Sequence, residues 1–551
     1  MKHDIYYGSM PRLAYFDHFQ AAMSSFQLKP EYEKEDFRNS ISDILSGKKE
    51  CSPFPHVTFD RFQVPEAVVN LQKDLAAMKW SPKVNDLYSL NQTCDFEALE
   101  GEGDNFQHLR QFRTFMKDSF RSYLEDRTKV KLSTEKVTMT GSRYGHTHLL
   151  LPHDDRVADR KYAFVYYLTE RWTEKDGGQL QLYAVNEKNE PTKAERSLLP
   201  QFNQLVIFEV SDKSWHQVAE VLSKNKERLS INGWFHVDEA PEFVFPPFVD
   251  PLLSKHFSVL GDFGPEDADI LAINPTYYAE PTWEQFVPKG TLVLDEFFVK
   301  GSFVESQILD ELDQLKFAEV GPVHKRHFEV ADIDESQLTS KSSLYFLLRG
   351  VKSHMMCFLL NKWTGANLSI ESNPSDEDEP TAPKRAKLDT EDSGSSDSSP
   401  SKDLDLGDEY AGIDIACSIR RYKAGDYTAM DDQSAAAGSK NDCVIDMRLF
   451  FTREWPFDAE EDSDPHVTGP GGFLNYYVPG ATEAMFRYEP ANNQAVIAFR
   501  EANVMNFTKY VNSRAAKNCF YVIDCTYFGV QRGENQNPLS AEFKITEAKK
   551  E

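Results

Sequence analysis

Hydrophobic residues recur at helical spacing in two early segments of the chain, one beginning at Pro65 and one spanning 106–127. The apolar positions are Val68, Leu71, Leu75, Met78 and Trp80 in the first segment and Leu109, Phe112, Phe115, Met116, Phe120 and Leu124 in the second. Spacing of three and four residues predicts amphipathic helices that pack one face on a core. The polar stretch 86–105 between them predicts a loop.

From about Lys131 the pattern changes to short runs of β-branched and aromatic residues, separated by turn residues such as those at 175–178. Many short strands at regular spacing are typical of a sandwich or a jelly-roll barrel. With the two helices in front of them, these strands predict an α+β fold that is mainly β.

Six of these segments are repeated, in the same order, in the second half of the chain. The pairs are 143–153 with 421–433, 161–170 with 442–454, 177–185 with 471–478, 203–210 with 493–499, 214–221 with 506–513, and 228–235 with 521–528. A preserved order of six segments indicates that one β-rich domain was duplicated. We therefore predict two jelly-roll domains with supporting helices.

Charge and composition narrow the class of protein. The 551 residues are 40% hydrophobic and carry a formal net charge of −27. A surface this acidic repels phosphate backbones, so we expect no direct nucleic-acid binding, and it would attract a basic protein. We expect no membrane span and no signal peptide. The seven scattered cysteines fit a reducing compartment.

Residues 371–408 differ from the rest of the chain, because Ser, Asp, Glu and Pro dominate and aromatic residues are absent. Such a segment cannot bury enough surface to order itself, so we predict a disordered acidic insertion. It contains a short basic cluster at 383–389, with Lys and Arg at 384–387, which is either a nuclear import signal or a solvated part of the linker. We expect the protein in the nucleus and the cytoplasm.

Three residues suggest a metal site. His153 and Asp155 end an apolar run, and residues two apart on an extended chain share a face. His216 begins a later strand-like run and could complete the set. Two imidazoles and one carboxylate form the facial triad of non-haem Fe(II) oxygenases, which leaves coordination positions open for a chelating co-substrate and dioxygen. A second His-x-Asp motif at His236 has no later partners at suitable spacing.

Arg228 strengthens the metal interpretation. It lies twelve residues after His216 on the next strand-like run, where a hairpin could return it towards the metal. A guanidinium suits bidentate capture of the distal carboxylate of 2-oxoglutarate, and Tyr167 could add a hydroxyl group. A zinc-binding structural domain or a non-catalytic scaffold for translation or mRNA-decay complexes would leave Arg228 unexplained.

The second copy lacks these chemical groups. Counted without a gap from Arg143 and Arg421, Asp431 falls opposite His153 and Gln433 opposite Asp155. In the later segments Lys509 falls opposite His216 and Tyr521 opposite Arg228, with the same twelve-residue offset between the two positions. We therefore predict that the second domain is degenerate and not catalytic.

The motif HDD, followed by AFVYYL, GGQLQLY, WHQVAEV and RLSINGWFH, resembles the two-domain Fe(II)- and 2-oxoglutarate-dependent ribosomal prolyl 3-hydroxylases. In that family a catalytic double-stranded β-helix precedes a degenerate one. The resemblance implies iron held by His153, Asp155 and His216, and 2-oxoglutarate held by Arg228 and Tyr167. Further positions that it implies are Leu150 in the co-substrate pocket, and Tyr144 and Trp234 as candidate substrate contacts.

The resemblance also implies the reaction and its setting. The substrate would be a prolyl residue of a basic small-subunit ribosomal protein, modified by 3-hydroxylation with ascorbate (vitamin C) as a supporting reductant. The modification would affect translation accuracy and termination, with links to stress granules and to termination or mRNA-decay factors. An oxygenase acting on another protein substrate remains an alternative.

These inferences define domain boundaries. We expect an N-terminal extension at 1–50, a catalytic domain at 51–245 and a connecting segment at 246–290. The degenerate domain would cover 291–370 and 409–540, interrupted by the acidic insertion.

Overall fold

The computed structural model describes residues 26–101, 105–243, 256–279, 290–366, 368, 410, 413–430, 443–455, 469–478, 484–501 and 503–530. The described chain forms two compact units, of which the first holds the residues up to 243 together with Pro322–His324 and the second holds the others. The predicted acidic insertion and its basic cluster lie outside the described residues, as do Asp431 and Gln433.

The first unit is built on one antiparallel sheet in the order β1-β9-β6-β11-β4-β3-β5-β10-β7-β8, with β2 beside β3. The strands are β1 His56–Phe59, β2 Ser81–Val84, β3 Tyr88–Gln92, β4 Val137–Tyr144, β5 Leu149–His153, β6 Arg160–Tyr167, β7 Leu180–Val185, β8 Pro191–Leu198, β9 Gln204–Glu209, β10 His216–Val218 and β11 Arg228–His236. The sheet curls, so that Phe208 of β9 contacts His216 of β10 with ring centroids 4.7 Å apart. This is a jelly roll, as the strand pattern predicts.

Helices cover the outer face of β6, β9 and β11. They are α1 Pro30–Glu33, α2 Glu35–Leu45, α3 Pro65–Ala77, α4 Gln107–Phe115 and α5 Arg121–Thr128, with a π-helical turn at Met116–Phe120 and a 3₁₀ helix at Phe96–Gly101. Both helices predicted from apolar spacing are confirmed, and their apolar faces enter one buried core with Phe164 and Ile231 of the sheet. Tyr32 and Ile41 belong to the same core, so the chain before residue 50 packs into the first unit from Phe26 onwards.

The stretch 86–105 was expected to be a loop, and this was wrong for its first part. Tyr88–Gln92 forms β3, which joins the two halves of the curled sheet by pairing with β4 and with β5. Only Leu90 in this strand is a strongly apolar residue, so hydrophobic alternation gave no signal for it.

The second unit contains a sheet in the order β13-β21-β18-β23-β16-β15-β14, with β12 beside β16 and β17 beside β15, and a three-stranded sheet β20-β19-β22. The strands are β12 Phe257–Val259, β13 Thr291–Leu294, β14 Phe317–Val320, β15 Arg326–Ala331, β16 Asp414–Tyr422, β17 Tyr427–Thr428, β18 Cys443–Phe451, β19 Leu474–Tyr477, β20 Phe486–Tyr488, β21 Gln494–Glu501, β22 Met505–Thr508 and β23 Phe520–Tyr527. Its helices are α6 Pro265–Leu271, α7 Thr276–Ala279, α8 Phe303–Gln314, α9 Ser343–Val351 and α10 His354–Thr364. Residues 257–279, within the predicted connecting segment, therefore form part of this unit.

The duplication is visible in the strand order. The series β1-β9-β6-β11-β4 of the first unit corresponds to β13-β21-β18-β23-β16 of the second, and β8-β7-β10 corresponds to β20-β19-β22. The mainly-β fold class with supporting helices is confirmed. Among the described helices, none has the length and apolar character needed to cross a membrane.

Candidate active site

Strand pairing brings the two candidate histidines together. In the register of β5 and β10, His153 lies opposite His216, and their ring centroids are 4.2 Å apart. The imidazole Nε2 atoms of His153 and His216 lie 3.7 and 3.5 Å from the two carboxylate oxygens of Asp155. One ligand atom from each of the three residues lies within 4.8 Å of the others, which is close enough to surround one metal ion.

Asp155 reaches this position by a route that the sequence did not indicate. Strand β5 ends at His153, and Asp155 adopts a left-handed backbone conformation with φ of 63°. An aspartate tolerates this region better than most residues, and such conformations are found at functional sites. The neighbouring Asp154 carboxylate instead accepts hydrogen bonds from the Arg156 backbone N–H at 3.1 Å and from its Nε at 2.7 Å. A backbone turn, rather than strand alternation, therefore separates the two carboxylates.

The histidines are held in the tautomer that a metal requires. Nδ1 of His153 donates to the Leu151 carbonyl at 2.8 Å, and Nδ1 of His216 donates to the Ser214 carbonyl at 2.7 Å. The lone pair of each neutral ring is thus on Nε2, facing Asp155. Burial and the proximity of His216 lower the pKa of His153 to about 4. Burial opposes ionisation of Asp155, but the neighbouring His216, His153 and Arg160 hold its pKa below the usual range.

Arg228 is fully buried at the start of β11, where it pairs with Tyr144 of β4. The expected hairpin between β10 and β11 is not formed, because β11 pairs with β4 and β6 while β10 pairs with β5 and β7. Nε of Arg228 donates to the Gly178 carbonyl at 2.8 Å. A Cβ on Gly178 would lie 3.0 Å from the Arg228 side chain, and its φ of +66° also favours glycine.

Two polar atoms at Arg228 have no hydrogen-bond partner in the described chain: its own Nη2 and the hydroxyl oxygen of Tyr167. The guanidinium lies 4.9 Å from the ring centroid of Tyr144 and 5.1 Å from that of Tyr167. Buried donors are rarely left unsatisfied, so this corner of the site fits a ligand carboxylate.

One cavity of about 420 Å³ connects the three candidate metal ligands with Arg228. This volume is typical of small-molecule sites. The cavity is lined by seven of the eight residues singled out from the sequence: Tyr144, Leu150, His153, Asp155, His216, Arg228 and Trp234. The eighth, Tyr167, contacts Arg228.

Comparisons with known proteins agree with this chemistry. The 2OG-Fe(II) oxygenase superfamily matches residues 139–236, and the family described as oxoglutarate and iron-dependent oxygenase degradation C-term matches residues 284–536. A prolyl 3-hydroxylase OGFOD1 of Xenopus laevis is 30% identical over 510 residues, which cover 87% of this chain and 90% of the relative. The chain belongs to this prolyl 3-hydroxylase family.

Two further relatives extend the comparison. Prolyl 3-hydroxylase sudestada1 of Drosophila melanogaster is 27% identical over 87% of this chain and 86% of its own length. A protein of Ostreococcus tauri named prolyl 3,4-dihydroxylase OGFOD1 is 34% identical over 37% of this chain and 41% of its own length. The chain is thus a 2-oxoglutarate-dependent prolyl hydroxylase, and membership in this family implies Fe(II) and 2-oxoglutarate as its cofactor and co-substrate.

Strand register corrects the alignment of the two copies. Tyr144 pairs with Arg228 in the first unit, and the corresponding Tyr422 pairs with Phe520 in the second. Phe520, not Tyr521, is therefore the counterpart of Arg228, and its ring packs against Gly472 as Arg228 packs against Gly178.

The counterpart of His216 is corrected in the same way. Leu182 pairs with His216, and the corresponding Tyr476 pairs with Asn506, so Asn506 rather than Lys509 occupies the histidine position. The loops that connect the strands differ in length between the copies. An alignment without gaps therefore could not show which residues occupy equivalent positions in the two sheets.

A cluster of charged side chains fills the second unit where the first has its cavity, and we call it the ion-pair cluster. Asp446 and Arg448 replace Ala163 and Val165 in the register, while Asp524 replaces Asn232. The members of the cluster are Arg420, Asp446, Arg448, Arg500 and Asp524, joined by Tyr476, Asn506 and Thr526.

The geometry of the ion-pair cluster is close. Arg500 donates to both oxygens of Asp446 at 2.8 and 2.9 Å, and Arg448 donates to Asp524 at 2.9 Å. Burial opposes charge on Asp446, but Arg500 and Arg448 outweigh it and lower its pKa to about 2. Because these side chains occupy the space and satisfy one another, the second unit offers no equivalent place for a co-substrate among its described residues.

The motif at His236 has a structural explanation. Its Nδ1 bonds to a carboxylate oxygen of Asp159 at 2.8 Å, and its Nε2 bonds to the Thr138 hydroxyl at 2.9 Å. Both ring nitrogens are thus engaged, which leaves none for a metal.

Sequence reasoning missed three groups in the cavity wall. Arg160 lies over the Trp234 ring with its guanidinium carbon 3.7 Å from the centroid, and its Nη1 is 3.4 Å from Asp155. Asn232 lines the cavity between Arg228 and Trp234 on β11. Leu90 of β3 also lines it. For Asn232 the signal was available, since strand alternation places it on the same face as Arg228.

Proposed function

We propose that this prolyl hydroxylase binds Fe(II) through His153, Asp155 and His216 and performs 3-hydroxylation of a prolyl residue in a small-subunit ribosomal protein. The observation that carries the metal assignment is the orientation of both Nε2 atoms towards the Asp155 carboxylate, with both Nδ1 atoms bonded to backbone carbonyls. Two imidazoles and a carboxylate on one side of an ion match the donor set of non-haem Fe(II) oxygenases.

Arg228 and Tyr167 are proposed to hold the distal carboxylate of 2-oxoglutarate. Their unpartnered donors, Nη2 and the phenol hydroxyl, lie together in a buried corner of the site. Leu150 supplies an apolar wall in the same cavity. Bound iron and 2-oxoglutarate supply the oxidation of the substrate C–H bond, while the chain orients them and excludes water.

Tyr144 and Trp234 are proposed as substrate contacts. Both line the cavity, and the ring of Tyr144 also contacts the Arg228 guanidinium. Burial raises the pKa of Tyr144 to about 12, so its hydroxyl is a neutral hydrogen-bond donor. Trp234 lies on the same face of β11 as Arg228, and its ring is beside Arg160.

The ribosomal substrate is supported by the family resemblance and by charge. A net charge of −27 favours encounter with a basic protein and disfavours direct binding of nucleic acid. We further propose that ascorbate maintains the iron in its reduced state and that the enzyme acts in the nucleus and the cytoplasm. The modification would affect translation accuracy and termination, with links to stress granules and to termination or mRNA-decay factors.

A peptide assay tests the substrate. The purified chain is incubated with Fe(II), ascorbate, 2-oxoglutarate and a prolyl peptide from the small-subunit ribosomal protein, and mass spectrometry follows the addition of one oxygen atom. We expect one oxygen on the target proline, assigned to C3 by NMR, and none on a peptide with alanine at that position. Succinate formation without peptide oxidation would contradict the ribosomal substrate and leave the oxygenase in place.

Substitution Arg228→Lys tests the co-substrate site. A lysine keeps the charge but loses the planar pair of donors, so we expect the KM for 2-oxoglutarate to rise roughly a hundredfold, about 2–3 kcal/mol. The measurement is succinate formed against 2-oxoglutarate concentration. Arg143→Lys is the matched control, because Arg143 precedes Tyr144 in β4 and stacks on Trp80 instead of lining the cavity. Equal KM values for the two variants would contradict the assignment.

A further inference from the structure

Two polar atoms in the cavity wall are left unexplained by iron and 2-oxoglutarate. Oδ1 of Asn232 and Nε1 of Trp234 are buried and have no hydrogen-bond partner in the described chain. The residues are two apart on β11, so their side chains leave the same face of the strand, and both line the cavity. An unsatisfied buried donor beside an unsatisfied buried acceptor indicates a ligand that carries both complementary groups.

The Trp234 ring is held in position by Arg160, which also lies beside the candidate metal ligand Asp155. The Arg160 guanidinium covers one face of the ring at 3.7 Å from the centroid, and its Nη1 lies 3.4 Å from Asp155. Reorienting the indole would separate it from this guanidinium and forfeit the cation–π contact. The indole ring is therefore held in place at the cavity wall before any substrate arrives, with its N–H unpaired among the described residues.

A prolyl peptide offers a matching pair of groups at one residue. Proline has no N–H, but the residue before it has both an N–H and a carbonyl. The proline ring also restricts that preceding residue to extended conformations. An extended residue presents its N–H and its C=O to the same side, as in a hydrogen-bonded pair of an antiparallel sheet.

We propose that Asn232 and Trp234 bind the residue that immediately precedes the target proline. The Trp234 Nε1–H donates to the carbonyl of that residue, and Asn232 Oδ1 accepts its N–H. This inference rests on the proposed prolyl substrate and deepens it, since the pair recognises main-chain groups and leaves the side chain of the preceding residue free to vary. Both are positioning residues, because their bonds fix where the proline ring lies relative to the metal.

The test measures peptide affinity without turnover. The chain is loaded with Mn(II) and 2-oxoglutarate, and a labelled prolyl peptide that the wild-type enzyme hydroxylates is titrated by fluorescence anisotropy. Trp234→Phe keeps the ring and removes the donor, and Asn232→Ala removes the acceptor. We expect each substitution to raise the peptide Kd about fivefold to tenfold while the Kd for 2-oxoglutarate changes less than about twofold.

A peptide with one ester bond identifies the group that Asn232 binds. Replacing the N–H of the residue before the proline with oxygen should weaken binding to wild type about fivefold to tenfold and have no further effect on Asn232→Ala. The matched ligand carries the ester at the residue after the proline and should bind both proteins like their unmodified peptide. An unchanged Kd in both variants, or an equal ester effect in wild type and Asn232→Ala, would overturn the proposal. Failure of the ribosomal peptide alone would overturn only that substrate, because any hydroxylated prolyl peptide serves here.

Discussion

Substitution Asp155→Ala is expected to abolish metal binding and prolyl hydroxylation together. Asp155 supplies the carboxylate that both Nε2 atoms face, at 3.7 and 3.5 Å. Without it, two neutral imidazoles remain, and neither balances the charge of a divalent cation. We expect product formation to fall at least about a thousandfold, which corresponds to about 4 kcal/mol of transition-state stabilisation. Atomic absorption after dialysis against Fe(II) under nitrogen measures the bound metal, and mass spectrometry measures the product.

The adjacent residue provides the control for this experiment. Asp154→Ala removes a carboxylate of the same size one position earlier, but that carboxylate is bonded to Arg156 rather than facing the histidines. We expect this variant to bind metal like the wild type and to lose less than about threefold in rate. Full metal stoichiometry in Asp155→Ala would show that the ligand set has been assigned wrongly.

Breaking the ion-pair cluster of the second unit should produce the largest loss of stability. In Arg500→Leu the Asp446 carboxylate stays buried without its bidentate partner. Removal of one member of a buried ion pair typically destabilises a protein by about 3–5 kcal/mol. Urea unfolding followed by circular dichroism should show a transition at lower denaturant concentration.

Two further variants show whether charge burial is the cause. Arg453→Leu removes an arginine whose side chain is 55% exposed and pairs with Asp310 and Asp313 at the surface, so its effect should stay below about 1 kcal/mol. The double variant Asp446→Leu with Arg500→Leu leaves no unpaired charge at this pair and should recover most of the loss. A single-variant effect no larger than that of Arg453→Leu would contradict the explanation.

The pair of Asp446 and Arg500 should also make the free energy of unfolding depend on pH. The pKa of Asp446 is lowered from 3.8 to about 2, so the folded state favours the ionised carboxylate. Its contribution to the free energy of unfolding is complete above about pH 4 and is lost as the pH falls towards 2. The stability difference between wild type and Arg500→Leu should therefore shrink in acid.

The sequence predicted the parts of this molecule that depend on local patterns. Apolar spacing located the helices at Pro65–Ala77 and from Gln107, and alternating strands located the jelly rolls. It did not reveal β3, because Asn91 and Gln92 interrupt the alternation and the pairing partners of this strand are distant in sequence. Strand β3 forms because it pairs with β4 and β5, which lie far from it in the sequence.

The register of strand pairing explains the remaining differences between the sequence prediction and the structure. The residues at the candidate metal site were found because their chemical types are distinctive, but the counterparts of Arg228 and His216 were misplaced by one and three residues. A slip of one residue exchanges the two faces of a strand, so Tyr521 points away from the face that holds Phe520. Asn232 was overlooked although strand alternation places it on the same face of β11 as Arg228, and only the structure reveals that its side-chain oxygen lacks a hydrogen-bond partner among the described residues.

The ion-pair cluster would make a loss of catalysis in the second copy difficult to reverse during evolution. A lineage that regained a histidine at Asn506 would still find Arg448 and Asp524 where a co-substrate must lie. Removing either side chain alone breaks the buried hydrogen bond between Arg448 and Asp524, so each intermediate sequence would fold less stably before it gained any activity. Selection on the second copy can therefore act on its outer surface while the ion-pair cluster holds its interior.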